Sequence, residues 1–142
     1  MNKTDTLLRL KRFRVDEMKR RIAAIEAMRT DLVRKLADLD ENVARERQRA
    51  GDSDIGRLAF PSFLRSIEAR RENLHTTLRE IERQQAAAQL ELSEAFQDLK
   101  ALEIATEQQA RRLAELQARR QQARLDEMAL VRHLRKHALR SA

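Results

Sequence analysis

Apolar residues recur along this chain at alternating spacings of three and four residues, over two long stretches. The first stretch covers about residues 3–49, and the second begins near residue 62. Such spacing forms two adjacent rows on one face of a helix, positions a and d of a seven-residue repeat, and is typical of a coiled coil. The pattern therefore predicts two long amphipathic helices. We call the face formed by positions a and d the seam.

The residues predicted to form the seam are aliphatic in both stretches. In the first stretch they are Leu8, Val15, Ile22, Ile25, Leu32, Leu36 and Leu39. In the second stretch they are Leu74, Leu78, Ile81, Leu92, Leu99 and Leu102. Polar residues interrupt both rows, as Arg29 and Gln85 do. Their partners can lie within one hairpin or in a second copy of the chain, and the pattern leaves both arrangements open.

A segment rich in turn-forming residues separates the two stretches. Both glycines and the only proline, Pro61, lie between residues 51 and 61. Proline suits the first turn of a helix and disfavours helical backbone angles at the residue before it. We therefore predict helix 1 over about residues 3–49, a turn over about 50–61 and helix 2 over about 62–139, within a single domain spanning 1–142.

The unequal lengths of the two predicted helices determine the shape of the molecule. The turn lets helix 2 fold back on helix 1, which brings Ile25 near Ala88. Pairing then ends near residue 110, and the rest of helix 2 extends beyond helix 1. The predicted fold is all-α, a long antiparallel coiled-coil hairpin whose second helix is longer than the first. An isolated helical extension is marginal in water, so we expect a partner to order it.

Composition agrees with a coiled coil and argues against several other classes. Charged residues make up 37% of the chain and aromatic residues 3%, which leaves too few large side chains for a wide globular core. The absence of cysteine excludes disulfides and thiolate metal sites. No apolar stretch approaches the roughly 18 residues of a membrane span, and Arg9 interrupts the apolar patch near the N-terminus. We therefore expect a cytoplasmic protein.

Residue patterns that carry catalytic or metal chemistry are sparse. The glycine-containing segment lacks the lysine of a phosphate-binding loop, and Phe63 stands where a calcium loop requires glutamate. His133 and His137 are four residues apart on one helix face, but the basic residues beside them repel a cation. We predict no catalytic residue, no metal site, no cofactor and no small-molecule ligand, and hence a protein that is not an enzyme.

Basic residues form two clusters against a background of interleaved charge. The net charge is +7, from 30 basic and 23 acidic residues. The clusters are Arg9, Lys11, Arg12 and Arg14 near one terminus, and Arg132, Arg135 and Lys136 near the other. The hairpin is predicted to bring both clusters to the same end, where they suit an acidic partner. Phe13 is the only aromatic residue among them, which argues against nucleic acid as the partner.

Two other functions remain as alternatives at this point. One is a basic coiled coil that binds nucleic acid or an anionic surface, and the other is a structural scaffold. At the opposite end of the hairpin, the predicted turn carries an apolar group, Leu58, Phe60, Phe63 and Leu64. Such a group either closes the helix pair as a hydrophobic staple or forms an exposed docking surface.

The opening run LLRLKRFRVDE, residues 7–17, and the segment FPSF, residues 60–63 within the turn at 54–63, do not follow from the seven-residue repeat. These two segments carry most of a resemblance to the bacterial flagellar export protein family FliJ, most strongly to its alphaproteobacterial branch. It continues through shorter segments and covers the chain to about residue 100. Those segments are residues 22–28, 37–40, 70–74 and 95–96.

The resemblance implies a fold and a role, both held here as expectations. Members of this family are antiparallel coiled coils in the cytoplasmic part of the flagellar type III export apparatus, similar in shape to the central stalk of rotary ATP synthases. They bind the hexameric export ATPase, promote its assembly and activity, couple it to the membrane export gate and handle export chaperones. By this resemblance the basic clusters are expected to bind the ATPase ring and the apolar tip to dock on the gate or other partners. The chain is expected to act as a monomer, peripheral to the basal body at the inner membrane.

Overall fold

The computed structural model describes residues 2–141 and contains two helices joined by residues 51–53. Helix α1 spans Lys3–Ala50 and helix α2 spans Asp54–Ser141. The helices pack against each other antiparallel, and no strand occurs among the described residues. The predicted all-α hairpin with a longer second helix is therefore confirmed.

Helix α1 is capped at both ends by local hydrogen bonds. The Asn2 side chain accepts from the backbone N–H of Thr4 at 3.3 Å, and asparagine is among the best residues for this position. At the other end, the N–H of Gly51 donates to the carbonyl oxygen of Arg47 at 3.3 Å. These bonds satisfy backbone groups that a helix terminus otherwise leaves without partners.

The turn is much shorter than the predicted segment 50–61, and the predicted start of helix 2 near residue 62 is wrong. The Ser53 hydroxyl accepts from the N–H of Gly56 at 3.0 Å, so Ser53 caps a helix that already begins at Asp54. Pro61 lies inside this helix. An interior proline costs one backbone hydrogen bond. Packing of the same turns against α1 offsets that cost, since Phe60 is half-buried with the guanidinium of Arg47 5.9 Å from its ring.

The buried side chains follow the seam along the whole paired region. One cluster contains Leu8, Val15, Ala95 and Leu99, with Leu92 and Leu102 packed against it. The other contains Ile25, Leu32, Ile81 and Ala88, with Ile22, Leu74 and Leu78 packed against it. Leu39 is also buried and Leu36 is half-buried. Ile25 and Ala88 lie in one cluster, as the hairpin geometry predicts.

Polar residues that interrupt the seam have partners on the opposite helix. Lys11 lies 3.8 Å from the carboxylate of Asp98, and Arg71 pairs with Asp40. Gln85 donates its side-chain amide to the carboxylate of Glu26. These polar residues therefore have their partners within one hairpin, and their pairing requires no second copy of the chain. From one pair to the next, a later residue of α1 meets an earlier residue of α2, as antiparallel packing requires.

Candidate functional site

Helix α2 continues far beyond the last residues that pack on α1. Near the start of α1, Arg12 lies 3.8 Å from the carboxylate of Glu103, and Leu102 is half-buried. Every residue from 107 to 141 is exposed. We call residues 3–108 the stem and residues 109–141 the overhang. At 1.5 Å per residue the overhang is a single helix about 50 Å long.

Nearly all of the net charge of the chain lies on the overhang. Residues 109–141 contain nine basic and three acidic residues, a net charge of +6. Residues 1–108 contain twenty-one basic and twenty acidic residues, a net charge of +1. The stem is thus close to neutral, whereas the overhang is a strongly basic lone helix that attracts anionic partners.

The N-terminal basic cluster lies on the stem, and most of it is engaged in ion pairs with α2. Lys11 and Arg12 pair with Asp98 and Glu103, and Arg14 lies 3.9 Å from Glu91. Among residues 2–141, Arg9 has no carboxylate within 4.0 Å. Cations that already face carboxylates present less net charge to an incoming partner.

The C-terminal basic cluster is free of such pairs. Within the described part of the chain, Arg132, Arg135 and Lys136 have no carboxylate within 4.0 Å, and all three are exposed. Since Arg12 contacts Glu103, the C-terminal cluster lies about 45 Å further along α2 than the N-terminal one. Both clusters lie toward the same end of the rod, but they do not form one continuous patch.

Apolar side chains accompany the C-terminal cluster on the overhang. Met128 and Val131 line a shallow groove together with Arg132 and Arg135. Met128 is 64% exposed and Val131 is 48% exposed. Exposed aliphatic groups beside unpaired guanidinium groups suit a partner that offers both an apolar surface and anions.

The apolar group at the tip is partly half-buried and partly exposed. Phe60 and Phe63 stack with ring centroids 6.2 Å apart, and both are half-buried, as is Leu64. Leu58 points outward and is 82% exposed, and Ile55 is 81% exposed. The aromatic side chains therefore close the helix pair, whereas the aliphatic pair forms the free surface of the tip. Ile55 was missed in the sequence because Gly56 and Arg57 separate it from the apolar group that begins at Leu58.

The described residues were also compared with the requirements of a metal site and of a membrane span. The rings of His133 and His137 lie 5.0 Å apart. Residues 2–141 contain no group of three or more His, Cys, Asp or Glu side chains placed to hold a metal ion. Over the same range, neither helix has a stretch apolar and long enough to cross a membrane.

Comparison with known proteins identifies one family. The family model described as flagellar FliJ protein matches residues 1–138, which include both helices and almost all of the overhang. No curated protein and no solved structure matches the chain. The match extends well past residue 100, where the resemblance in the sequence ends. The alphaproteobacterial branch stays a prediction.

Proposed function

The chain belongs to the flagellar FliJ family and is a component of the flagellar export apparatus, and from this premise we propose that it is the stalk of the hexameric export ATPase. In this role it is a non-enzymatic, monomeric rod in the cytoplasm, peripheral to the basal body at the inner membrane. It binds the ATPase ring, promotes ring assembly and activity, and couples the ring to the membrane export gate and to export chaperones.

The segregation of charge onto the overhang carries this proposal. A lone helix is about 10–12 Å across, so it can enter a pore that would not admit the two-helix stem. Residues 109–141 carry a net charge of +6. Arg132, Arg135 and Lys136 are exposed and lack carboxylate partners within residues 2–141, so they are available to a ring that presents anions. They are the residues we assign to the main ring contact.

The N-terminal cluster has a secondary part in this arrangement. Lys11, Arg12 and Arg14 face carboxylates of α2, so a ring has to compete for them. Arg9 is exposed and has no such partner among residues 2–141. We assign these four residues to a weaker contact at the mouth of the ring, where the stem begins.

The tip at the other end of the rod is assigned to the export gate. Leu58 and Ile55 offer exposed aliphatic surface there, and Phe60, Phe63 and Leu64 hold that surface on the stem. The two ends of the rod are more than 100 Å apart, since α2 contains 88 residues. A rigid rod of this length can contact a ring with one end and a second partner with the other.

The ATPase rate of the purified cognate export ATPase tests the ring contact. The wild-type chain is expected to raise the rate at physiological salt, and R132E/R135E/K136E is expected to abolish the increase. R34E/R65E/R70E makes the same change of charge at stem arginines that are exposed and unpaired within residues 2–141, so it should behave as wild type. Equal loss in both variants, or no stimulation by the wild-type chain, would contradict the assignment.

The basic overhang also favours a second candidate function, binding to nucleic acid. Neutralising phosphates with several lysines and arginines releases counterions, so the affinity falls steeply as salt rises. Duplex binding at low salt that is lost at physiological salt would reflect charge alone. Binding that persists at physiological salt, without any effect on the ATPase, would favour nucleic acid over the stalk role.

A further inference from the structure

The stem pairs its helices by a simple rule of charge. Charged side chains in the seam, or flanking it, face side chains of opposite charge on the other helix. In most of these ion pairs the acidic residue lies on α2 and the basic residue on α1. Examples are Arg29 with Glu82 at 3.8 Å, Arg21 with Glu91 at 3.5 Å, Lys11 with Asp98 at 3.8 Å and Arg12 with Glu103 at 3.8 Å. The pair of Arg71 on α2 with Asp40 on α1 is the exception.

The seam of α2 does not stop where α1 ends. Counting in sevens from the buried Leu99 and Ala95, the same two rows continue into the overhang. Their apolar members there are Leu113, Leu116, Ala123, Leu130 and Leu134. All are exposed, with the leucines between 45% and 59% accessible. The overhang therefore carries an unpartnered continuation of the face that α1 covers on the stem.

The residues that flank this face change sign at the same point. On the stem the charged residues at these positions are acidic, with Arg70 as the exception, but on the overhang Arg112, Arg119 and Arg124 occupy the flanking positions and Arg120 lies in the seam itself. Asp126 and Glu127 are the acidic exceptions. If the helices pair here by opposite charge, as on the stem, a partner helix on this face needs carboxylates at the positions where α1 has basic residues.

We propose that the overhang seam is the docking site for an acidic amphipathic helix of another protein, which adds to α2 where α1 ends. A second copy of this chain does not fit. Its overhang carries the same charge of +6, and the first half of its α1 is basic, so both would be repelled. An acidic helix is attracted by the flanking arginines and buries the exposed leucines.

This site is distinct from the ring contact proposed above. Arg132, Arg135 and Lys136 lie at the outer positions b, c and f of the same repeat, away from the seam. One helix therefore presents two faces, which separate substitutions can disable independently. A docked helix makes the overhang as wide as the stem, so docking on the seam and entry into a narrow pore are alternative states of the overhang. The inference does not depend on the ATPase being the partner of the outer face.

A designed peptide pair tests the seam against the full-length chain. Both peptides have about four heptads with leucine at positions a and d. One carries glutamate and the other lysine at the flanking positions, which also keeps each peptide from pairing with itself. Fluorescence anisotropy measures the affinity of each labelled peptide at physiological salt, and circular dichroism confirms that each protein variant stays helical.

The glutamate peptide is expected to bind the wild-type chain at least about tenfold more tightly than the lysine peptide, because its carboxylates face the flanking arginines whereas lysines are repelled by them. In R112E/R119E/R124E this preference should reverse. In R132E/R135E/K136E, which changes the charge equally on the outer face, the preference should persist. Equal binding of both peptides, or equal loss in both variants, would overturn the proposal and leave only a non-specific basic helix.

Two further probes separate a helix from other anions. Vesicles with anionic lipid and a short DNA duplex are titrated against the same three proteins. The two triple variants are expected to weaken the binding of vesicles and duplex similarly, since the affinity of both probes depends on the total charge of the helix and not on which face carries it. Tighter binding of vesicles or duplex than of the glutamate peptide, with selective loss in the seam variant, would assign the seam to that partner instead.

Discussion

The guanidinium of Arg29 lies 3.8 Å from the carboxylate of Glu82, so a cation in the seam of α1 meets an anion at the edge of the seam of α2. Glu26 lies in the same group, 3.9 Å from Arg29, and accepts a hydrogen bond from the side-chain amide of Gln85. A shift of the helices by one repeat would place His75 or Gln89 opposite Arg29, and neither is an anion. This group therefore contributes to selecting one register among those that the leucine rows alone would permit.

Reversing the charges of Arg29 and Glu82 tests this relationship. R29E and E82R each place like charges together, and each is expected to lower the free energy of unfolding by about 0.5–1 kcal/mol. The double variant should recover most of the loss, which a urea-unfolding cycle measures. As a control, R83E breaks the local pair with Glu80 on α2 and should cost no more than about 0.5 kcal/mol. A double variant as unstable as the sum of the singles would contradict the pairing.

The two glycines differ in the space around them, which predicts opposite effects of alanine. A Cβ at Gly56 would lie 2.9 Å from the Ser53 hydroxyl and 3.0 Å from the Cα of Ala50. G56A therefore disturbs the cap of α2 and presses on α1, and we expect a loss of about 1–2 kcal/mol despite the better helix propensity of alanine.

At Gly51 the nearest atom would be the carbonyl oxygen of Gln48, at 3.4 Å, and the backbone is helical with φ −68°. G51A is therefore expected to be neutral or to stabilise by up to about 1 kcal/mol. Thermal unfolding of the two variants side by side gives the comparison. A stabilising effect of alanine at both positions would show that the close approach at Gly56 is not limiting.

The seam was predictable from the sequence because its seven-residue pattern recurs every two turns of helix and can be recognised within each short stretch of the chain. The start of α2 was not, because two local signals conflict there. Pro61 indicates a helix start near residue 61, whereas Ser53, whose hydroxyl accepts from the N–H of Gly56, and the acidic Asp54 in the first turn indicate a start at residue 54. Packing against the end of α1, such as that of Phe60 on Arg47, decides between them, and such tertiary packing overrides local preference.

The identity of the basic residues could also be read from the sequence, but their availability could not. Whether Arg12 is free depends on Glu103, and that pairing depends on the register of the whole hairpin. The overhang charge was present in the sequence as a run of unbalanced arginines. It became informative only once the end of α1 was located against α2, which separates the neutral stem from the basic overhang.

Among residues 2–141, Ala88 is the most buried apolar residue, and it lies in one cluster with Ile25, whereas its neighbour Ala87 is exposed. A88L is expected to force the helices apart and to cost about 1–3 kcal/mol. A87L places the same side chain in solvent and should change stability by less than about 0.5 kcal/mol. Urea unfolding measures both. Equal stability of the two variants would show that the helices do not approach closely at Ala88.

Removal of the overhang separates stability from recognition. Residues 107–141 are all exposed, so a chain ending at residue 108 keeps every buried side chain of the stem. Its midpoint of urea unfolding should match that of the full chain, while the helical signal falls by the share that the overhang contributes. By contrast, L99A in the full chain should cost about 2–4 kcal/mol, because Leu99 is buried in the stem. If truncation instead destabilised the stem, the overhang would have to pack on something, either α1 or a second chain, and its seam would not be available to an acidic helix.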